Sequence, residues 1–116
     1  MNIYLMINVY LISVETDGRK LYKIGYTRRN VSDRIKEFDT GNAQTFIIEN
    51  VFNSKWGTKI EAQLHKFFKE SKVKGEWFNL TNDDVMVWMN QCELYHKNFE
   101  IIEKQNTYYI DRGERF

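Results

Sequence analysis

Apolar residues fall in short runs whose period changes along the chain. Val9-Tyr10-Leu11-Ile12 and Tyr22-Lys23-Ile24-Gly25-Tyr26-Thr27 are β-prone, and each contains tyrosine. The polar link Glu15-Thr16-Asp17-Gly18-Arg19-Lys20 reads as a hairpin turn, which predicts strands over residues 8–14 and 21–27. From Asn30-Val31-Ser32-Asp33, which offers capping side chains, Val31, Ile35 and Phe38 recur at helical spacing up to a stop signal at Thr40-Gly41-Asn42. The β-branched and aromatic run Thr45-Phe46-Ile47-Ile48-Glu49-Asn50-Val51-Phe52 predicts a third strand. Ile60, Leu64, Phe67 and Phe68 then form an amphipathic stripe from Thr58 to about Ser71. Gly75-Glu76-Trp77-Phe78-Asn79-Leu80 is a short extended piece. Thr81-Asn82-Asp83-Asp84 caps a helix through Val85, Trp88 and Met89 toward Tyr95.

Beyond it, Phe99-Glu100-Ile101-Ile102 and Thr107-Tyr108-Tyr109-Ile110 read as strand-like pieces around Lys104-Gln105-Asn106. The order predicts an α+β fold: a small, mainly antiparallel three-stranded sheet flanked by helices, with a helical and β-prone C-terminal extension. Nothing in the composition marks a linker. Residues 1–80 read as one unit, with residues 81–116 as a helix and tail packed on the same domain. The tail has three options: to pair with the sheet, to form its own hairpin, or to pack on another subunit.

At 116 residues, 42% apolar and 16% aromatic, the chain suffices for one domain with a core dominated by large side chains. Cys92 is the only cysteine, which excludes an internal disulfide and multi-cysteine zinc sites. No run approaches the roughly 20 apolar residues of a membrane span. The opening Met1-Asn2-Ile3-Tyr4-Leu5-Met6-Ile7 lacks a basic flank and a cleavage site, so a signal peptide is not expected and the cytoplasm is. Net charge is +1, but its distribution is uneven. Lys55, Lys59, Lys66, Lys69, Lys72 and Lys74 crowd the middle; Arg19, Lys20, Lys23, Arg28, Arg29 and Arg34 surround the tyrosine runs. Acid collects in Asp83, Asp84, Glu93, Glu100, Glu103, Asp111 and Glu114. That division fits a phosphate-facing surface, and equally fits ordinary solvated helix faces.

Hydrolysing a phosphodiester requires a base for water, a cation for the phosphoryl oxygens and stabilisation of the leaving oxygen. A tyrosine whose pKa is lowered by cations, an arginine fork and a carboxylate holding magnesium can meet those needs. Tyr10, Arg34 and Glu61 fit the three jobs, with Lys23 and Tyr26 beside them. Each also has an ordinary reading. Tyr10 suits strand packing and Arg34 a solvated helix. Thr58-Lys59-Ile60-Glu61 matches a capping box, in which the glutamate would be folded back on the helix start and poorly placed for a metal.

The ordered set resembles the GIY-YIG nuclease superfamily, in its short phage and bacterial branch, over residues 8 to about 80. Asn8-Val9-Tyr10 is similar to the first motif, with asparagine for glycine. Lys23-Ile24-Gly25 is similar to the second, with a lysine usual in that branch. Asp33-Arg34-Ile35 carries the helical arginine and Ile60-Glu61-Ala62-Gln63-Leu64-His65 the acidic ligand. The resemblance implies an endonuclease of phage or mobile-element origin, acting on DNA with Mg²⁺ or Mn²⁺ in a host cytoplasm. Tyr10 would be the general base, Arg34 the phosphate clamp and Glu61 the metal ligand. Lys23 would lower the Tyr10 pKa or touch phosphate, and Tyr26 would bond phosphate or water. His65, Tyr22, Gly25 and Trp77 are supporting positions; Glu76, Trp77 and Phe78 would close the sheet behind the site. A lone histidine beside Leu64 and Phe68 is more often packed core. Two further readings remain open: a catalytically inactive nucleic-acid- or protein-binding module on the same fold, and an interaction protein whose tail aromatics Trp88, Tyr95, Tyr108 and Tyr109 form a homodimer or partner surface.

Overall fold

The computed structural model describes residues 6–38 and 45–111, with side chains as far as residue 106. Strands β1 (Ile7–Thr16) and β2 (Arg19–Thr27) form the expected antiparallel hairpin. Their two-residue turn places Asp17 at φ 51° and Gly18 at φ 74°. That left-handed pair matches the twist of the flanking strands and explains Asp-Gly at this position. Helix α1 (Val31–Phe38) starts where Asn30 Oδ1 accepts from Ser32 N at 2.8 Å. The stop signal expected at Thr40-Gly41-Asn42 lies outside the described residues.

Strand β3 (Phe46–Ser54) pairs antiparallel with the other edge of β1. Helix α2 (Gly57–Phe67) and a short 3₁₀ turn, Lys69–Ser71, follow. Next come β4 (Lys72–Lys74) and β5 (Trp77–Phe78), which turn the expected three-stranded sheet into an antiparallel five-stranded one in the order β3-β1-β2-β5-β4. β4 escaped notice because its three residues are all exposed and pair only with β5.

The C-terminal expectation is corrected more sharply. Residues Asn82–Asp111 form one 30-residue helix, α3, with no strand or hairpin in the described tail. Thr81 and Asp84 close its start as the sequence predicts, by reciprocal side-chain to backbone bonds of 2.9 and 3.1 Å. Val85, Trp88, Cys92, Tyr95 and Phe99 recur every three or four residues and all meet the core. This period outweighs the β-prone letters further on, because packing of an apolar stripe stabilises a helix more than local propensity does. Trp88 is fully buried and so is not part of an exposed surface, while Tyr95 is partly buried against the core. The side chains of Tyr108 and Tyr109 lie outside the described residues.

Cross-strand partners share a face, so the two pleats of the β1–β2 ladder separate cleanly. Val9, Leu11, Tyr22 and Ile24 meet Ile60, Leu64 and Phe68 around α2, and Trp88 and Cys92 of α3. Tyr10 and Ile12 lie on the opposite face under Val31 and Ile35 of α1, with Phe46 and Val51 at the margin. Among the described residues, no helix is long and apolar enough to cross a membrane.

Candidate active site

The chemistry-bearing side chains meet at the outer edge of β2, where its cover by β5 ends. β5 pairs with Tyr22 and Lys23. Ile24 N then donates to Glu76 O at 3.2 Å. The N–H and C=O of a strand residue point to the same side, so Ile24 O faces this edge as well. α2 reaches it there: His65 Nε2 lies 2.9 Å from Ile24 O. A carbonyl only accepts, so Nε2 carries the hydrogen. The imidazole also stands edge-on to Phe78, with centroids 4.9 Å apart.

Ile60 and Leu64, both fully buried, fix the rotation of α2 on the sheet. The residues one step further on, Glu61 and His65, therefore sit one turn apart on the flank facing β2. Glu61 Oε2 is 3.6 Å from His65 Nε2. Glu76, immediately before β5, completes a group in which one ligand atom from each of Glu61, His65 and Glu76 lies within 4.8 Å of the others. The capping box expected around Glu61 does not form. α2 begins at Gly57 with Trp56 as its cap and no side-chain cap bond, so Glu61 falls in the second turn. Its carboxyl is raised above the ordinary range by burial, then eased by His65, raised again by Glu76 and eased by Lys72.

Tyr10 approaches the same edge from the opposite pleat. It pairs with Gly25 and is 1% exposed. Its ring lies across that glycine so closely that a Cβ at residue 25 would collide with Tyr10 Oη. Gly25 is thus a close-approach residue, and the missing side chain lets the phenol pass over β2. Burial, with the charges of Glu76 and Glu61, pushes the Tyr10 phenol up to about 12 against the opposing pull of Arg34. The lowering expected from neighbouring cations is therefore reversed here. Lys23, the cation expected beside Tyr10, has its Nζ 3.1 Å from Glu76 Oε2 and 5.7 Å from the Trp77 ring centroid.

Arg34 projects from α1, and its Nη1 is 2.7 Å from Glu37 Oε2. Glu37 also accepts from Arg29, and the two guanidinium groups, Arg29 foremost, hold its carboxyl below the usual range. Tyr26 pairs with Val9, so it stands on the other pleat from Tyr10 and Lys23, 40% exposed. Tyr22 is buried in the α2–α3 core, with Lys20 Nζ 5.4 Å from its ring centroid. Trp77 is half-buried against Phe46. Glu37 and the ionic role of Glu76 went unread in the sequence. For Glu37 a signal existed, three residues after Arg34 on a helix.

The basic middle and the acidic tail partly cancel each other. Lys55 Nζ is 2.9 Å from Glu103 and 3.8 Å from Glu100, while Trp56 Nε1 donates to Glu100 at 3.1 Å. Ser54 Oγ and His96 Nδ1, 2.8 Å apart, add to this seam between the end of β3 and α3. These charges fasten α3 and lie away from the edge of β2.

A model of the T5orf172 domain matches residues 7–93, from β1 through the first part of α3. No curated protein and no solved structure matches the chain.

Proposed function

Because the chain belongs to the T5orf172 domain family, a phage-associated, nuclease-like group, we propose that it is a divalent-metal-dependent endonuclease hydrolysing DNA phosphodiester bonds. The observation that carries this reading is the meeting of Glu61, His65 and Glu76 at an edge within electrostatic reach of Tyr10 and Arg34. Carboxylates with one imidazole nearby form a largely hard, oxygen-rich donor set, which fits Mg²⁺ or Mn²⁺. Glu61 would hold the ion, which when bound supplies positive charge to the scissile phosphate and to the leaving oxygen.

The remaining work falls to the side chains. Arg34 grips a non-bridging phosphate oxygen with its fork, exchanging part of its contact with Glu37 for substrate. His65 holds α2 to β2 through Ile24 O and keeps Glu61 in line. Tyr10, its own phenolic proton first lost to solvent, takes the proton of the attacking water on its phenolate oxygen. Among the groups acting on Tyr10, Arg34 favours the phenolate, while burial, the largest influence, and the carboxylates of Glu76 and Glu61 oppose it. Before that loss Tyr10 is a neutral phenol. That same observation favours the second reading, a nucleic-acid-binding module without catalysis.

Incubation of the protein with supercoiled plasmid, single-stranded DNA and RNA, in Mg²⁺, Mn²⁺ or EDTA, separates the two. An endonuclease relaxes or linearises plasmid only with metal, and Arg34→Ala suppresses it. Salt-sensitive binding to DNA with every substrate left intact would instead establish the binding module.

A further inference from the structure

The lysines in the middle of the chain divide into two groups. Lys55 is held by Glu103 and Glu100 of α3, and Lys59 Nζ lies 5.5 Å from the Trp56 ring centroid. Lys66, Lys69, Lys72 and Lys74 are exposed. Among the described residues, no carboxylate comes within ion-pair distance of any of these four. Resting on the DNA-cleaving reading above, we propose that these four lysines, at the end of α2 and on the β4–β5 hairpin, hold the DNA backbone beside the phosphate that is cut at the edge of β2.

Their placement follows from one irregularity in the sheet. The hairpin turns at Gly75, φ 57°, directly before Glu76, so β4 brings its lysines to the edge shared by Glu61, His65 and Glu76. A regular strand would put Lys72 and Lys74 on one face. The register shifts between them, and Lys72 pairs with Phe78 while Lys74 pairs with Trp77. Cross-strand partners share a face, so the two lysines fall on opposite faces. Lys72 belongs to the side of α2: its Nζ is 6.0 Å from the Phe78 ring centroid, and His65 meets the same ring. The Glu61 carboxyl, raised foremost by burial, is eased in part by Lys72. Lys74 follows Trp77 and Lys23 to the side of Tyr10. Lys66 comes directly after His65 on α2, and Lys69 stands in the 3₁₀ turn.

Like charges gathered this closely repel one another, and a phosphate backbone relieves that repulsion while releasing its own counterions. Lysines on an exposed edge strand also discourage pairing with another sheet. That role involves no DNA, which makes the two separable.

Binding of the full chain to a short DNA duplex, in EDTA and at several salt concentrations, tests the proposal. Each lost phosphate contact flattens the slope of log affinity against log salt by about 0.9. Lys72→Gln with Lys74→Gln should flatten it by about 1.8, and Lys66→Gln with Lys69→Gln by a similar amount. Lys97→Gln with Lys104→Gln removes the same charge from exposed positions of α3 and should leave the slope near wild type. Equal flattening by the α3 pair, or an unchanged slope in the hairpin pair, would overturn the proposal; the latter would leave β4 with edge protection alone. So would a wild type that binds no duplex, or one that holds an RNA duplex of the same sequence more tightly. Salt-steep DNA binding through these lysines with no cleavage in Mn²⁺ would keep the surface and remove the endonuclease reading. Metal-dependent plasmid cleavage with the hairpin pair's slope unchanged would do the reverse.

Discussion

On the face of the sheet covered by α2 and α3, Leu11, Ile24, Ile60, Leu64, Phe78 and Trp88 are all fully buried against one another. The face under α1 buries a smaller group, Tyr10, Ile12, Val31 and Ile35, with Lys23 and Gly25 on its pleat, while Glu61 and His65 reach the edge of β2 from α2 on the first face. Each large apolar side chain buried on the first face contributes roughly 1.5–3 kcal/mol, so most of the stability lies there. The second face spends burial differently. Tyr10 is packed like a core residue, yet its hydroxyl lies where Glu76, Arg34 and Glu61 all act on it. The comparison teaches that the deeper side is both the platform and the source of Glu61 and His65, the thin side supplies Tyr10 and Arg34, and β2 is the boundary where they meet.

The widest separation between the faces is expected from Trp88→Ala. Emptying the space of a fully buried tryptophan costs about 3–5 kcal/mol of stability, read from urea denaturation. Trp88→Phe should cost less, because the Trp88 Nε1 hydrogen has no bonding partner and its loss removes a buried, unsatisfied donor. Tyr10→Phe is its counterpart on the other face: cleavage falls by roughly 10²–10⁴-fold while stability changes little. If Tyr10→Phe instead cleaves plasmid at the wild-type rate, Tyr10 belongs wholly to the packing side.

Gly25→Ala tests the boundary itself. The new Cβ collides with Tyr10 Oη, and since the ring is enclosed, the shift costs about 1–3 kcal/mol. Cleavage should fall further than that stability loss explains.

Acidity gives a subtler contrast. Burial, with Glu76 adding to it, raises the Glu61 carboxyl in the fold, so its ionised form opposes folding. The group's contribution is fully favourable below its unfolded pKa and is lost as pH rises through the higher folded value. Acidifying from neutrality should therefore stabilise wild type relative to Glu61→Gln, in paired denaturation curves. The same shift should weaken Mn²⁺ binding at a higher pH than an ordinary carboxylate would. The smallest effect is expected at the platform's rim, where Thr81→Ala removes the cap of α3 for about 1 kcal/mol, seen in the same denaturation assay.

The hairpin, α1, the third strand and the start of α3 were legible because period, turn letters and capping residues agreed on each. The end of α3 was not, since Ile101, Ile102 and the neighbouring Tyr108 favour strands by type while the three-and-four spacing from Val85 to Phe99 carries the helix past them. Thr58-Lys59-Ile60-Glu61 misled in the opposite way. Four letters matched a cap, but Trp56 N is bound to Ser54 Oγ and the helix starts at Gly57, ahead of the motif. Candidate residues near one another in sequence, such as Glu61 and His65, could be paired from helical spacing. Glu76 could not, because its place depends on β5 joining β2, an arrangement set by two residue pairs.

The central claim is that the edge of β2 is a metal-dependent site built on the α2–α3 platform. Plasmid conversion by Glu61→Gln, assayed in Mn²⁺ beside wild type after both are shown to be folded, tests it most directly. The account predicts that wild type nicks or linearises the plasmid and that the folded variant loses at least about 10²-fold in rate, about 2.7 kcal/mol of transition-state stabilisation. A folded Glu61→Gln that cleaves as fast as wild type would contradict it.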